Sequence, residues 1–142
     1  MKPLRTALAA SALALVPVIG LASPAHAQVS VDFDIIGPAT LQPNGTVRLV
    51  TNLRCTAGAD ASLFVSLQQV RRGVQSAGGG FQAADCTGGI QELVFVLSSS
   101  EGPDFSTGRA YAQGSASVCI QVGDGGFECE GDSDEELIRV RR

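Results

Sequence analysis

The chain has 142 residues, with 14 acids against 10 lysines and arginines, one histidine and no tryptophan. That is enough for one domain, and its acidity argues against nucleic acid and anionic membrane as partners, since both reward basic patches. The histidine, His26, and the only lysine, Lys2, both lie near the N-terminus.

The chain opens with Lys2 and Arg5, an apolar run over residues 7–21, and the triplet Ala25-His26-Ala27. These are the charged, hydrophobic and small-x-small regions of a secretory signal peptide, with cleavage expected after Ala27. The apolar run is interrupted by Pro17 and is short for a membrane span of roughly 20 residues. No cysteine precedes Cys55, so a lipid-anchored N-terminus is not expected. Residues 28–142 are then expected to be a single secreted, extracellular and monomeric domain, with eight arginines, fourteen acids and a net charge of −6.

Within that domain apolar and polar residues alternate, and no helical period emerges. Val29, Val31, Phe33 and Ile35 share one face of a first strand that Gly37-Pro38 is expected to close. Pro43-Asn44-Gly45 makes a turn, its Asn-Gly pair suited to positive φ, and a second strand runs over 46–55. A third is expected over 61–70 with Leu63, Val65 and Leu67 inward. Residues 73–80 read as a glycine-rich loop, 81–86 as a short strand and 87–89 as a turn. The nearly continuous apolar run 90–97 predicts a strand buried on both faces, and 98–107 a polar loop. A long strand over 109–122 carries Ala110, Ala112, Gly114 and Ala116, small enough for close sheet packing. A closing strand is expected over 137–142. Seven or eight short strands with regular turn signals predict an all-β fold, an immunoglobulin-like antiparallel β-sandwich stapled by disulfides.

Cys55, Cys86, Cys119 and Cys129 are an even set in an exported chain, which reads as two bridges. The favoured pairing is Cys55–Cys86 with Cys119–Cys129. The second pair brackets a segment that folds into a hairpin about Gly123-Asp124-Gly125, with Val122 opposite Gly126 and a three-residue loop. The runner-up, Cys55–Cys119, would imitate the inter-sheet bridge of immunoglobulin domains, but the core tryptophan of that fold is absent.

Catalytic chemistry is sparse. Once residues 1–27 are removed, neither histidine nor lysine remains for a Ser-His-Asp triad, a Cys-His dyad, a Schiff base or a histidine-zinc site. Paired carboxylates could still serve a hydrolase, but the acids gather at turns and near the C-terminus. Asp124, Glu128, Glu130, Asp132, Asp134, Glu135 and Glu136 form an acidic run. Asp124, Glu130, Asp132, Asp134 and Glu136 are the calcium candidates, because calcium takes oxygen ligands. A solvated acidic hairpin and linker is the competing reading and the preferred one. Asn44-Gly45-Thr46 matches a glycosylation sequon, although its turn role suffices to explain it. No catalytic residue, resident metal or cofactor is expected.

Several segments together resemble a known group. Asn44-Gly-Thr-Val-Arg-Leu leading to Cys55, Leu63-Phe-Val-Ser-Leu-Gln-Gln69, Asp85-Cys86-Thr-Gly-Gly89 and Phe105-Ser-Thr-Gly108-Arg-Ala-Tyr-Ala112 are similar to motifs of small secreted actinobacterial proteins of unknown function. The turn order at Asp85-Cys86-Thr87-Gly88 departs from that pattern. The resemblance implies a β-domain and a bridge between Cys55 and Cys86, and it implies no activity.

Two function classes remain ahead of an enzyme. One is a non-enzymatic extracellular binding or interaction module. The other is a small-ligand carrier, by analogy with the acidic, disulfide-bonded, chromophore-carrying sandwiches that actinobacteria secrete. A deep apolar cleft lined by Phe64, Phe81 or Phe105 would favour the carrier. A filled core with flat outer faces would favour the interaction module.

Overall fold

The structure, a computed structural model, describes residues 28–123 and 125–142. The signal segment, its cleavage site and Asp124 lie outside the described residues. The elements are β1 (Val31–Leu41), β2 (Val47–Cys55), β3 (Asp60–Arg71), β4 (Val74–Asp85), β5 (Ile90–Leu97), β6 (Gly108–Val122) and β7 (Gly126–Arg141). They form one seven-stranded sheet in the order β4-β3-β6-β7-β1-β2-β5. Every pairing is antiparallel except β1 with β7, which run parallel and meet only at Ala39↔Val140 and Thr40↔Arg141.

The sheet curls into a half-barrel because one face of nearly every strand is apolar and must leave water. Phe33 and Ile35 of β1, Leu49 and Leu53 of β2, Leu63, Val65 and Leu67 of β3, Val118 of β6, and Ile138 and Val140 of β7 all point into one core. Gly114 lets this core close. A Cβ there would lie 2.7 Å from the Phe33 ring, so the missing side chain is what allows the ring to lie against β6. The small inward residues of β6 do pack closely, as the sequence suggests.

Curling brings the two sheet edges together at one end. Ala77 of β4 donates its N–H to Glu101 O at 3.0 Å and accepts from Ser100 N at 2.8 Å. At the other end Cys86, just past β4, is bonded to Cys55 at the end of β2, with Cα atoms 5.4 Å apart. Cys119 and Cys129 bridge β6 and β7. Both bridges follow the favoured pairing, so Cys55–Cys119 is excluded. Val122 stands opposite Gly126 as the hairpin argument requires.

Several expectations need correction. The sheet is mixed, not wholly antiparallel, because β1 and β7 run parallel, and the closing strand expected over 137–142 is only the end of a sixteen-residue β7. Residues 73–80 are not a loop: most of the segment is the first half of a twelve-residue β4 whose glycines pair with β3. A Cβ at Gly78 would sit 2.0 Å from Ser98 O, so glycine serves close backbone approach here. Residues 81–85 are therefore no separate strand but continue β4, and Cys86 lies just past its end. Gly37-Pro38 does not end β1; the register with β2 shifts between Ile36 and Thr40, after which the strand pairs with β2 again and also meets β7. Finally, β5 is not buried on both faces. It pairs only with β2, at the sheet edge, leaving Ile90 70 % and Val96 63 % exposed.

Candidate functional site

The half of the sheet built by β4, β3, β6 and β7 turns one face to the core and the other to solvent. Strand alternation decides which side chains lie outside. The registers place Phe81, Phe64, Ser115 and Ser133 in one row across the four strands, with Ala83, Ser62, Ser117 and Gly131 in the next. The rings of Phe64 and Phe81 lie 4.6 Å apart between centroids and 40° to one another. They wall an open trough of about 530 Å³ whose floor is small and polar: Ser62, Ser115, Ser117, Ser133 and Gly131. Phe81 is 83 % exposed.

Below the trough, Tyr111 donates its hydroxyl to the Glu135 carboxylate across β6 and β7. Above it stands the Cys119–Cys129 bridge, on the same outer face. Asp132 is the one acid among the described residues lining the trough, and both its carboxylate oxygens accept main-chain N–H groups, from Phe33 and from Ser133. What the trough can do is stack a flat or apolar group on the phenylalanines and offer hydroxyls beside it.

Phe105, the third aromatic tied to the carrier idea, lies in the core and away from the trough. A separate concavity of about 670 Å³ lies between the β1–β2 turn and the 98–107 loop, bordered by Leu41, Asn44, Asp104, Phe105 and Arg142. In that turn Asn44 Oδ1 accepts from the hydroxyl and N–H of Thr46, and Gly45 adopts φ +81°, which is the turn role read from the sequence.

The acidic run is a strand, not a linker. Glu128, Glu130, Asp132, Asp134 and Glu136 occupy alternate positions of β7 and so share its core-side face, ahead of the buried Ile138 and Val140. Along this stretch β1 and β7 are not ladder-paired, and the N–H groups on the β1 edge need acceptors. Asp132 Oδ2 accepts from Phe33 N at 2.8 Å, and Asp134 Oδ2 accepts from Ile35 N at 2.9 Å. Their other oxygens accept from the N–H groups of Ser133 and Glu135. Two of the calcium candidates are thus carboxylate clasps standing in for a missing strand backbone. Glu130 is exposed, Glu136 lies beside Gly37, and Asp124 is outside the described residues. Among the described residues no group of three or more acids, cysteines or histidines is arranged to hold a metal ion.

Sequence reading named Phe64 and Phe81 but missed the serine floor. The signal was present as Ser115-Ala-Ser117 and Ser133, polar residues of one parity on two paired strands. It becomes visible only once the β6–β7 register is fixed.

No protein-family model matches the chain, and no characterised protein is significantly similar to it.

Proposed function

We propose that this chain is an exported, non-enzymatic binding module whose working surface is the outer face of β4-β3-β6-β7. The observation carrying this reading is Phe81, a large ring almost wholly in water, backed by Phe64 and set beside a polar floor. Exposed aromatic rings of this kind are common anchors of binding hot spots, and nothing in the core needs Phe81 there. Export is supported by the signal-like N-terminus and by two formed disulfides, which suit an oxidising compartment. No helix among the described residues is long and apolar enough to cross a membrane. The resemblance to secreted actinobacterial β-domains belongs to the same reading.

We read the half-barrel as immunoglobulin-like. The support is the weak join in the sheet: β1 pairs with β2 along most of its length but with β7 only at Ala39 and Thr40, so β1-β2-β5 and β4-β3-β6-β7 can be viewed as two layers around one core. Such frames commonly present one sheet face to a partner, although fold alone does not fix function.

The carrier reading keeps two supporting observations, the Phe64–Phe81 trough and the concavity bordered by Phe105, both with volumes in the range of small-molecule sites. The open form of the trough, and a Phe105 ring only 3 % exposed at the border of its concavity, favour the interaction module. Native mass spectrometry of protein recovered from culture medium separates the two. A stoichiometric small molecule retained by the native protein and absent from Phe81→Ser would support the carrier. Ligand-free native protein, with Tyr111 fluorescence responding to soluble glycans or peptides only while Phe81 is intact, would support the module. Equal behaviour of both proteins in every assay would remove the trough from the function.

A further inference from the structure

The lower end of the outer face carries a second feature that the net charge conceals. Arg109 of β6 and Arg139 of β7 are direct cross-strand partners, and Arg141 follows Arg139 on the same face of β7. All three are exposed. The β6–β7 register is unbroken from Gly108↔Val140 to Val122↔Gly126. Arg109↔Arg139 is therefore a pair of the same type as Cys119↔Cys129, whose Cα atoms are 4.1 Å apart. That is the narrow, non-hydrogen-bonded type, in which side chains come closest. Like charges directly opposite one another on a sheet oppose folding, and this chain has acids in excess that could have occupied either position.

Arg109, Arg139 and Arg141, with Thr107, Gly108 and Val140, border a cleft of about 390 Å³. The approach to Arg109 is held from below. Gln69, only 4 % exposed, donates Nε2–H to Ser106 O at 2.8 Å and to Arg109 O at 3.3 Å, and its Oε1 accepts from Ser106 N at 2.9 Å. Glu135, on the same face of β7, accepts the Tyr111 hydroxyl. Tyr111 and Leu137 form the next row above the arginines and are both exposed.

We propose that Arg109, Arg139 and Arg141 form a binding site for a tetrahedral oxyanion, a phosphate or sulfate group. Guanidinium forks match the paired oxygens of such groups and bind them bidentately. A doubly charged anion between Arg109 and Arg139 turns their repulsion into attraction toward a shared ligand. The Tyr111–Leu137 step would meet the organic part of an ester. Gln69 is a positioning residue that fixes the backbone carrying Arg109. The site lies apart from Phe81 and does not depend on the trough being used.

The test is an amide-detected NMR titration of the full exported domain at constant ionic strength, with inorganic phosphate in one arm and phenyl phosphate in the other. Saturable shifts confined to residues 107–111 and 137–141, lost in Arg139→Gln, are expected. If the natural source is an ester, phenyl phosphate binds at least about threefold tighter, as a partly buried ring contact would give; if it is the free anion, the two arms agree, and either result supports the site. In low salt without phosphate, Arg139→Gln should melt about 2 °C higher than the native protein, because the like-charge pair is gone. Shifts spread equally over Arg48 and Arg54, or unchanged in Arg139→Gln, would overturn the proposal.

Discussion

Asp132 and Asp134 illustrate how one residue type can serve two very different ends. In the sequence they read as oxygen ligands in search of a cation; in the fold each carboxylate spans the gap between β7 and β1 and accepts a main-chain N–H. Bonds to a charged acceptor are the stronger kind, and removing an acceptor leaves a part-buried donor unsatisfied. Asp132→Ala or Asp134→Ala should each destabilise the domain by about 1–3 kcal/mol in urea unfolding. The asparagine variants keep an acceptor oxygen and should lose less. Millimolar calcium should leave the melting temperature of the native protein unchanged. A calcium-specific rise of several degrees, absent in Asp132→Asn/Asp134→Asn, would instead mean that the clasps also hold an ion. Gly114→Ala provides a second check at this scale. Its Cβ would overlap the Phe33 ring, and overpacking of this kind costs about 1–3 kcal/mol.

Among the elements, the two disulfides staple different lengths of chain. Cys55–Cys86 spans 31 residues and ties β2 to the residue after β4, whereas Cys119–Cys129 spans 10 within one hairpin. In the chain-entropy picture the longer loop confers about 4 kcal/mol and the shorter about 3. Cys55→Ser/Cys86→Ser should therefore show the lower urea midpoint of the two double variants. The reverse order would mean that the β6–β7 hairpin, not curling of the sheet, limits stability. Alternation made β2, β3 and β6 legible almost to the residue, and turn chemistry placed the β1–β2 and β6–β7 loops but not the tight β3–β4 turn at Arg72-Gly73. What the sequence concealed was tertiary. The glycines of β4 look like a flexible loop until Ser98 and the Phe64 ring are known to lie against them. The apolar run of β5 looks doubly buried because an edge strand and a central one share the same composition. The acids of β7 look like a solvated linker because their backbone partners on β1 are about a hundred residues away in sequence.

At the scale of the whole molecule, charge is unevenly spread over the half of the sheet built by β4, β3, β6 and β7. Asp60 and Asp85 face one another at the end where Glu130 also lies, while Arg71, Arg72, Arg109, Arg139 and Arg141 outnumber Asp104 at the opposite end. The net charge of −6 for residues 28–142 thus describes no part of the surface well, and steering of an approaching ligand will depend on which end it meets. Between the two ends runs the outer face of β4-β3-β6-β7, with Phe81 at its trough. Exposed apolar residues also lie on the opposite edge, Ile90 and Val96 of β5, so exposure by itself does not single out a working surface. Placing a photoreactive benzophenone side chain at Phe81 or at Val96, secreting each protein in its native culture and weighing the adducts after irradiation compares the two surfaces directly. A discrete adduct from the Phe81 position, with none from Val96, is the expected result. Equal labelling at both positions, or an adduct from Val96 alone, would contradict a binding module that works through the outer face of β4-β3-β6-β7.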